Sequence, residues 1–174
     1  MAADRSLTET KPLGKIASPG VDQQRLGIMR TLHDGRDRSE IVKRVAELRR
    51  DSERKWGKMS VEQMLWHVNG AMASALGQFE ISPQKPPLPR PIMKLLVLYV
   101  PWGKGAPTMP DFVASGTYDF EGERGRCLQL IDTIAAKRLK SDWPVHPMLG
   151  RMSGQEVSRL HAKHLNHHLL QFGV

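Results

Sequence analysis

The feature that most constrains this chain is its C-terminal stretch, residues 153–172, which contains four of the seven histidines. Ser153 and Glu156 have the Ser-x-x-Glu spacing of a helix capping box, which predicts that a helix begins here. At about 100° per residue, one stripe of this helix collects apolar residues and histidines: Val157, His161, His164, Leu165, His168 and Phe172. Such a stripe faces the core of a globular protein, so histidines are predicted to point inward.

The spacing of His164 and His168 suggests a metal site, because two histidines four residues apart on a helix can bind one ion. Buried histidines satisfied by ordinary hydrogen bonds are the alternative that this spacing leaves open. A metal site needs at least a third protein ligand, which must come from another helix. Leu165, not glutamate, follows His164, so the chain lacks the His-Glu-x-x-His motif of metalloproteases.

The composition is that of an ordinary globular protein, with 174 residues, 40% hydrophobic and 25% charged, which suggests one domain. The formal net charge of +8 permits contact with nucleic acid, but aromatic residues make up only 6% and no recognition helix is evident. Nucleic acid is therefore not an expected partner. The single cysteine, Cys127, suits a reducing cytosol. No apolar segment is long enough for a membrane span or a secretory signal, so a cytoplasmic location is expected.

Hydrophobic periodicity predicts an all-α four-helix bundle with long crossover connections. Residues 1–30 have no clear period and are predicted to form a loose N-terminal arm, and residues 31–174 a single domain. The long helices are predicted at Asp37–Glu53, at about Val61–Gly77, from Asp119 or Glu121 to near Leu139, and at the C-terminal stretch. A short helix is predicted at Ile92–Tyr99. Five prolines in residues 80–91 predict an irregular crossover before it.

His67 is the candidate for the third ligand. It lies in the second predicted helix, on a stripe whose other members are mostly small: Met64, Ala71, Ser74 and Ala75. This stripe predicts that His67 also faces inward, with room beside its ring. Because bundle interiors build metal sites from facing helices, His67 can meet His164 and His168.

Several motifs together resemble one branch of the DinB-like (YfiT-type) superfamily, a branch known mainly as a domain of unknown function. The first is the run Lys55-Trp56-Gly57-Lys58-Met59-Ser60 followed by Gln63-Met64-Leu65-Trp66-His67. The second is His146-Pro147 with Gly150, Met152 and Ser153, and the third is the ending His164-x-x-His167-His168-Leu-Leu-Gln171-Phe172. The resemblance covers roughly residues 31–174.

The resemblance implies a four-helix bundle that holds a divalent metal ion through three histidines, which by motif position are His67, His164 and His168. Zinc or nickel is the leading expectation, and manganese and iron stay open, because imidazole suits several metals. Residues expected to support the ligands are His161, one turn before His164, and Gln171, which could orient an imidazole. A packed core histidine and an ordinary polar residue at a helix end are the alternatives for these two.

The leading functional hypothesis is a metal-dependent enzyme, either a thiol-dependent transferase or a hydrolase, because some relatives in the superfamily use small-molecule thiols. A metal ion held by three histidines has open coordination positions, at which it can activate water or bind a thiolate. The alternatives are a non-catalytic metal or small-molecule binding module and a basic nucleic-acid-binding protein. The expected partner is a small-molecule substrate, with a low-molecular-weight thiol as one candidate. A homodimer is the assembly considered.

Overall fold

The computed structural model describes residues 30–174, so the predicted N-terminal arm lies outside the described residues except for Arg30. Within residues 30–174 the chain forms five α-helices, one 3₁₀ helix and no strand. The α-helices are α1 Gly35–Glu47, α2 Val61–Ala75, α3 Arg90–Tyr99, α4 Phe120–Ala136 and α5 Gly154–Gln171, and the 3₁₀ helix is Pro110–Phe112. The prediction of an all-α fold is confirmed.

The capping signals in the sequence mark where the helices begin. At the start of α5, the Ser153 hydroxyl accepts the Glu156 N–H at 3.2 Å, and the Glu156 carboxylate accepts the Ser153 N–H at 2.8 Å. At the start of α2, Gln63 Oε1 accepts the Ser60 N–H at 3.1 Å. These bonds satisfy N–H groups that have no partner within the helix, so each helix begins at a defined residue.

Helix α1 ends earlier than the sequence pattern predicts, at Glu47 rather than Glu53. Leu48 is fully buried with an extended backbone, and its carbonyl accepts a hydrogen bond from Arg124 of α4 at 3.0 Å. The Ser52 hydroxyl accepts the Arg49 N–H at 2.9 Å. Both contacts give backbone groups an alternative to the helix ladder, and so end the helix.

Four helices enclose one core, with α2 packed against α4 and α5, and α1 packed against the same two helices. Their buried side chains form a single hydrophobic cluster that includes Ile41, Val45, Met64, Leu65, Met72, Cys127, Ile131, Ile134, Leu165 and Leu169. Helix α3 packs against α5. Because α5 contacts α1, α2 and α3, its inward stripe meets side chains from several parts of the chain.

The connections on either side of α3 are irregular, as the prolines predict. Residues 79–89 form no helix, and Pro91 lies in the first turn of α3, where its missing N–H costs nothing. The segment after α3 reaches the 3₁₀ helix Pro110–Phe112, which contacts α2. None of the helices in residues 30–174 is both long and apolar enough to cross a membrane.

Candidate metal centre

The imidazole rings of His67, His164 and His168 converge between α2 and α5. The Nε2 atom of His164 lies 2.9 Å from Nε2 of His67 and 3.1 Å from Nε2 of His168. One ring nitrogen from each of the three lies within 4.8 Å of the others. His67 is 4% exposed and His168 is 7% exposed, so both are buried, and His164 is partly exposed. The structure therefore brings together the three histidines that the sequence singled out.

The orientation of His67 depends on the 3₁₀ helix. Its Nδ1 lies 2.9 Å from the carbonyl oxygen of Phe112, so Nδ1 carries the proton and donates a hydrogen bond to that oxygen. Nε2 then keeps a free lone pair that faces the other two rings. Gly70 of α2 allows this approach, because a Cβ at that position would lie 3.2 Å from the Phe112 ring.

His168 is oriented by a polar chain that reaches the loop before α2. The Gln171 side chain donates to the Trp56 carbonyl at 2.9 Å, which turns its Oε1 toward His168 Nδ1, 2.8 Å away. His168 Nδ1 therefore carries the proton, and its Nε2 is free. Gly57 has a positive φ of 80°, and a Cβ there would collide with the Gln171 amide. Glycine is required at this position for both reasons.

Burial lowers the pKa of all three rings. For His67, burial outweighs the opposing effect of the hydrogen bond to Phe112, and its pKa lies below the ordinary value. For His168, burial and then the positive charge that His67 could carry lower the pKa to about 3. The pKa of His164 lies well below its ordinary value because of burial, followed by the charges of His67 and His168. Neutral imidazole, the form that these shifts favour, is the form that binds metal.

The three nitrogens lie close enough together that they could hold one metal ion. Nitrogens that share a tetrahedral zinc ion lie about 3.3 Å apart, given bond lengths of about 2.0–2.1 Å, and the two measured separations from His164 are close to this value at 2.9 and 3.1 Å. In His67 and His168 the other ring nitrogen, Nδ1, already donates a hydrogen bond to a protein oxygen, as is usual for histidine ligands. Within residues 30–174 no other group of three His, Cys, Asp or Glu side chains lies this close.

A cavity of about 640 Å³ opens beside the three histidines. Its walls come from α2, α3, α5, the segment that leads into the 3₁₀ helix, and residues 146–149. Most of these side chains are apolar, including Met93, Leu96, Val97, Trp102 and Leu160. No Asp, Glu, Lys or Arg of residues 30–174 lines the cavity. Its volume lies in the range of small-molecule sites, roughly 300–1,000 Å³.

The remaining predicted residues have different surroundings. Gln171 contacts His168 directly, whereas His161 makes no side-chain hydrogen bond to any of the three histidines within residues 30–174. His161 is instead 3% exposed and lines the cavity. His167, which the stripe places off centre, packs edge-on against Trp56 and Trp102, with ring centroids 5.9 and 5.6 Å apart.

Sequence reasoning missed the two backbone carbonyls that orient the rings, those of Trp56 and Phe112. Every residue carries a carbonyl, so residue type cannot reveal this role. The available signals were indirect: Gly57 beside a predicted helix start, and Gly70 within the predicted second helix, where glycine often marks a close approach. Trp102, whose ring centroid lies 5.6 Å from that of His164, was also not identified as part of the site.

Fold and site together define an all-α protein with a cluster of three histidines that could hold a metal ion. The chain belongs to the family described as "Protein of unknown function (DUF1569)", whose family model matches residues 30–173. No curated protein and no solved structure gives a significant match to the chain. Because the family description assigns no activity, functional inference rests on the geometry of the site.

Proposed function

We propose that this protein is a metal-dependent enzyme of the DinB-like superfamily, a four-helix bundle whose divalent ion is held by His67, His164 and His168. The observation that carries the proposal is the convergence of three Nε2 atoms at the wall of an apolar cavity. The packing of α1, α2, α4 and α5 around one core supports the bundle. The imidazole set favours zinc or nickel, with manganese and iron as further candidates.

Three protein ligands leave positions on the ion for substrate, which is the arrangement of catalytic rather than structural zinc sites. When bound, such an ion supplies Lewis acidity that can activate water or a thiol. The protein would orient the ligands through Phe112 and Gln171, and the cavity walls would exclude bulk water. A transferase that uses a low-molecular-weight thiol and a hydrolase are the two reaction classes proposed. The proposed location is the cytoplasm.

Metal affinity of single-site variants tests this proposal. We expect His168→Ala to weaken zinc binding by at least about a hundredfold, because one of three ligands is lost. His167→Ala is the matched control, since it removes the neighbouring imidazole, which packs on Trp56 and Trp102 without belonging to the cluster. Competition with a chromophoric chelator at fixed pH measures both affinities.

Equal zinc affinity in the two variants would contradict the proposed ligand set. Elemental analysis of protein purified without a histidine tag identifies the native metal. Circular dichroism of each metal-free variant checks that the helices are intact, so that a lost affinity reports on the ligand and not on folding.

A non-catalytic binding module is the second candidate. It is favoured by one observation: no carboxylate of residues 30–174 lines the cavity, so no Asp or Glu is placed to act as a general base. Steady-state turnover of the metal-loaded protein with a thiol and an electrophile, or with a hydrolysable ester, separates the candidates. Zinc binding with turnover no faster than free zinc would favour the binding module.

A further inference from the structure

Helix α3 has an apolar face that the rest of residues 30–174 leaves exposed. Of the ten large hydrophobic side chains that are exposed in this part of the chain, six lie on α3 or next to its ends. They are between 40% and 58% exposed: Leu88, Ile92, Leu95, Leu96, Tyr99 and Val100. Four of the six have the spacing i, i+3, i+4 and i+7, which places them on one side of the helix. We call these four, Ile92, Leu95, Leu96 and Tyr99, the outer face of α3.

The opposite side of α3 is also apolar, and it supplies the packing of the helix. Leu98 is 1% exposed, and Met93 and Val97 pack against the core. A helix that is apolar on all sides is normally buried, and an exposed apolar patch of this kind marks an interaction surface. Since α3 packs against α5 through its inner side, the outer face remains available to a partner.

The surroundings of the outer face are basic. Residues 81–110 contain no Asp or Glu and four basic residues: Lys85, Arg90, Lys94 and Lys104. Helix α5 adds Arg159, whose guanidinium lies 4.8 Å from the centre of the Tyr99 ring. The Glu156 carboxylate, which also lies beside α3, is paired with Lys94 at 3.1 Å. A partner that complements this surface is therefore apolar and negatively charged.

We propose that the outer face of α3 docks on the surface of an anionic lipid bilayer. A bilayer offers both an apolar layer for the leucine and isoleucine side chains and anionic headgroups for the basic groups around them. Tyr99 suits the boundary between the two, where tyrosine is enriched. A helix that lies in the plane of the surface does not need the length of a spanning helix. A second copy of the chain fits less well, because two basic surfaces would meet and each copy has a net charge of +8.

Bilayer docking goes beyond the proposed function and is independent of the metal site. Leu96 and Val100 also line the 640 Å³ cavity beside the histidines, so docking would place that cavity at the membrane surface. Vesicle binding and zinc binding are separate measurements. Loss of one would not decide the other.

Vesicle sedimentation of the full-length protein at pH 7 tests the proposal. One set of vesicles contains equal parts of phosphatidylcholine and phosphatidylglycerol, and the other contains phosphatidylcholine alone. We expect the protein to bind the anionic vesicles at least about tenfold more tightly, because each basic group near the surface adds attraction to anionic lipid. Binding should weaken as the salt concentration rises.

Two variants separate the apolar from the electrostatic contribution. Leu95→Gln removes the most exposed side chain of the outer face, and we expect it to weaken binding to anionic vesicles by about tenfold. Arg159→Gln removes the charge beside Tyr99, and we expect about fivefold weaker binding to anionic vesicles with no change on phosphatidylcholine alone.

Leu139→Gln and Arg138→Gln are the matched controls. Both residues are exposed, and they follow α4 rather than α3. The Leu139 backbone lies against Gly154 of α5. At about 100° per residue, Gly154 is about 200° around that helix from Glu156, which binds α3. Both controls should bind vesicles as the wild type does, and circular dichroism checks that all four variants are folded.

Absence of vesicle binding by the wild-type protein would overturn the proposal, and so would equal binding to the two kinds of vesicle; neither comparison needs a variant to fold. Equal losses in Leu95→Gln and Leu139→Gln would also reject it. Analytical ultracentrifugation checks the other occupants. A dimer that Leu95→Gln dissociates, without vesicle binding, would assign the outer face to a second copy. Vesicle binding that begins only when residues 1–28 are deleted would assign it to that segment in the intact protein.

Discussion

In His67 and in His168, one ring N–H donates a hydrogen bond to a protein oxygen, and the other ring nitrogen keeps a free lone pair. For His67 the acceptor is the Phe112 carbonyl, and for His168 it is Gln171 Oε1. Each bond selects the tautomer whose Nε2 lone pair is available and also limits rotation of the ring. At the residue scale, the site therefore depends on side chains and carbonyls that would not touch the ion themselves.

Replacing Gln171 tests this dependence. Gln171→Met keeps the approximate volume but removes the bonds to His168 and to the Trp56 carbonyl. We expect zinc affinity to fall by about ten- to a hundredfold, the usual cost of losing a partner that orients a histidine ligand. Chelator competition measures the change.

Gln63→Met is the control for that substitution. Gln63 also makes two hydrogen bonds, to the Ser60 N–H and the Gly116 carbonyl, but they lie at the start of α2. This variant should melt at a lower temperature and bind zinc as the wild type does. If both variants lose zinc affinity equally, the effect of Gln171 is general destabilisation and not ring orientation.

At the element scale, the proposed site depends on the relative positions of α5, α2 and the 3₁₀ helix. Helix α5 would supply two of the proposed ligands at i and i+4, α2 would supply the third, and the 3₁₀ helix orients that third ring. The close contact of α2 with the 3₁₀ helix occurs at Gly70, whose missing side chain leaves space for Phe112.

Glycine-to-alanine substitutions separate helix propensity from this contact. Gly125→Ala on α4 would meet nothing within 4 Å, so we expect it to stabilise the fold by up to about 1 kcal/mol. Gly70→Ala gains the same helix propensity, but its Cβ would lie 3.2 Å from the Phe112 ring. Phe112 would have to shift, and its carbonyl, which orients His67, would shift with it. We expect less stabilisation or a net loss, together with weaker zinc binding. Urea unfolding and chelator competition measure the two effects, and unchanged zinc affinity in Gly70→Ala would contradict this role of Phe112.

At the scale of the whole molecule, buried histidines link stability to pH. The folded-state pKa values of His146 and His161, about 4 and about 3, lie below the ordinary value of 6.5. The unfolded chain therefore takes up protons first as the pH falls. The free energy of unfolding should decrease from about pH 6.5 downward, by at most about 1.4 kcal/mol per pH unit for each proton.

His161→Leu should reduce this pH dependence in the metal-free protein. Urea unfolding of wild type and variant at pH 7, 5.5 and 4.5 gives the two slopes. Carboxylates such as Glu40 and Glu156, whose pKa values are lowered, also lose their stabilising effect in acid, but they contribute equally to both proteins. Identical slopes would mean that His161 is not held neutral by the fold.

The predicted boundary near residue 30 leads to a test by truncation. Leu32 is fully buried, and Arg30 pairs with Glu40 of α1 at 2.6 Å, so the packed domain includes both residues. The family match also begins at residue 30. We expect deletion of residues 1–28 to leave a domain that unfolds in one cooperative transition near the wild-type temperature. A truncated protein that is unfolded by circular dichroism would place part of the arm in the core.

Much of the helical structure could be predicted from local signals. Ser153 with Glu156 marks the start of α5, and Asp119 caps α4. Hydrophobic stripes placed His67, His164 and His168 on inward faces because a helix repeats every 3.6 residues. Where local signals competed with tertiary contacts, the prediction was wrong: α1 stops at Glu47 because Arg124 binds the Leu48 carbonyl.

The sequence by itself determined which residues are helical, which faces are apolar and which histidines face the core, because these follow from periodicity and capping within short segments. Only the tertiary structure decided that three Nε2 atoms meet, that the Phe112 and Trp56 carbonyls orient the rings, and that the Nδ1 atom of His161 is buried without a hydrogen-bond partner in residues 30–174. These features depend on distances between segments far apart in the chain, such as His67 and His164. Those distances are set by how the helices pack, and local residue patterns do not encode them.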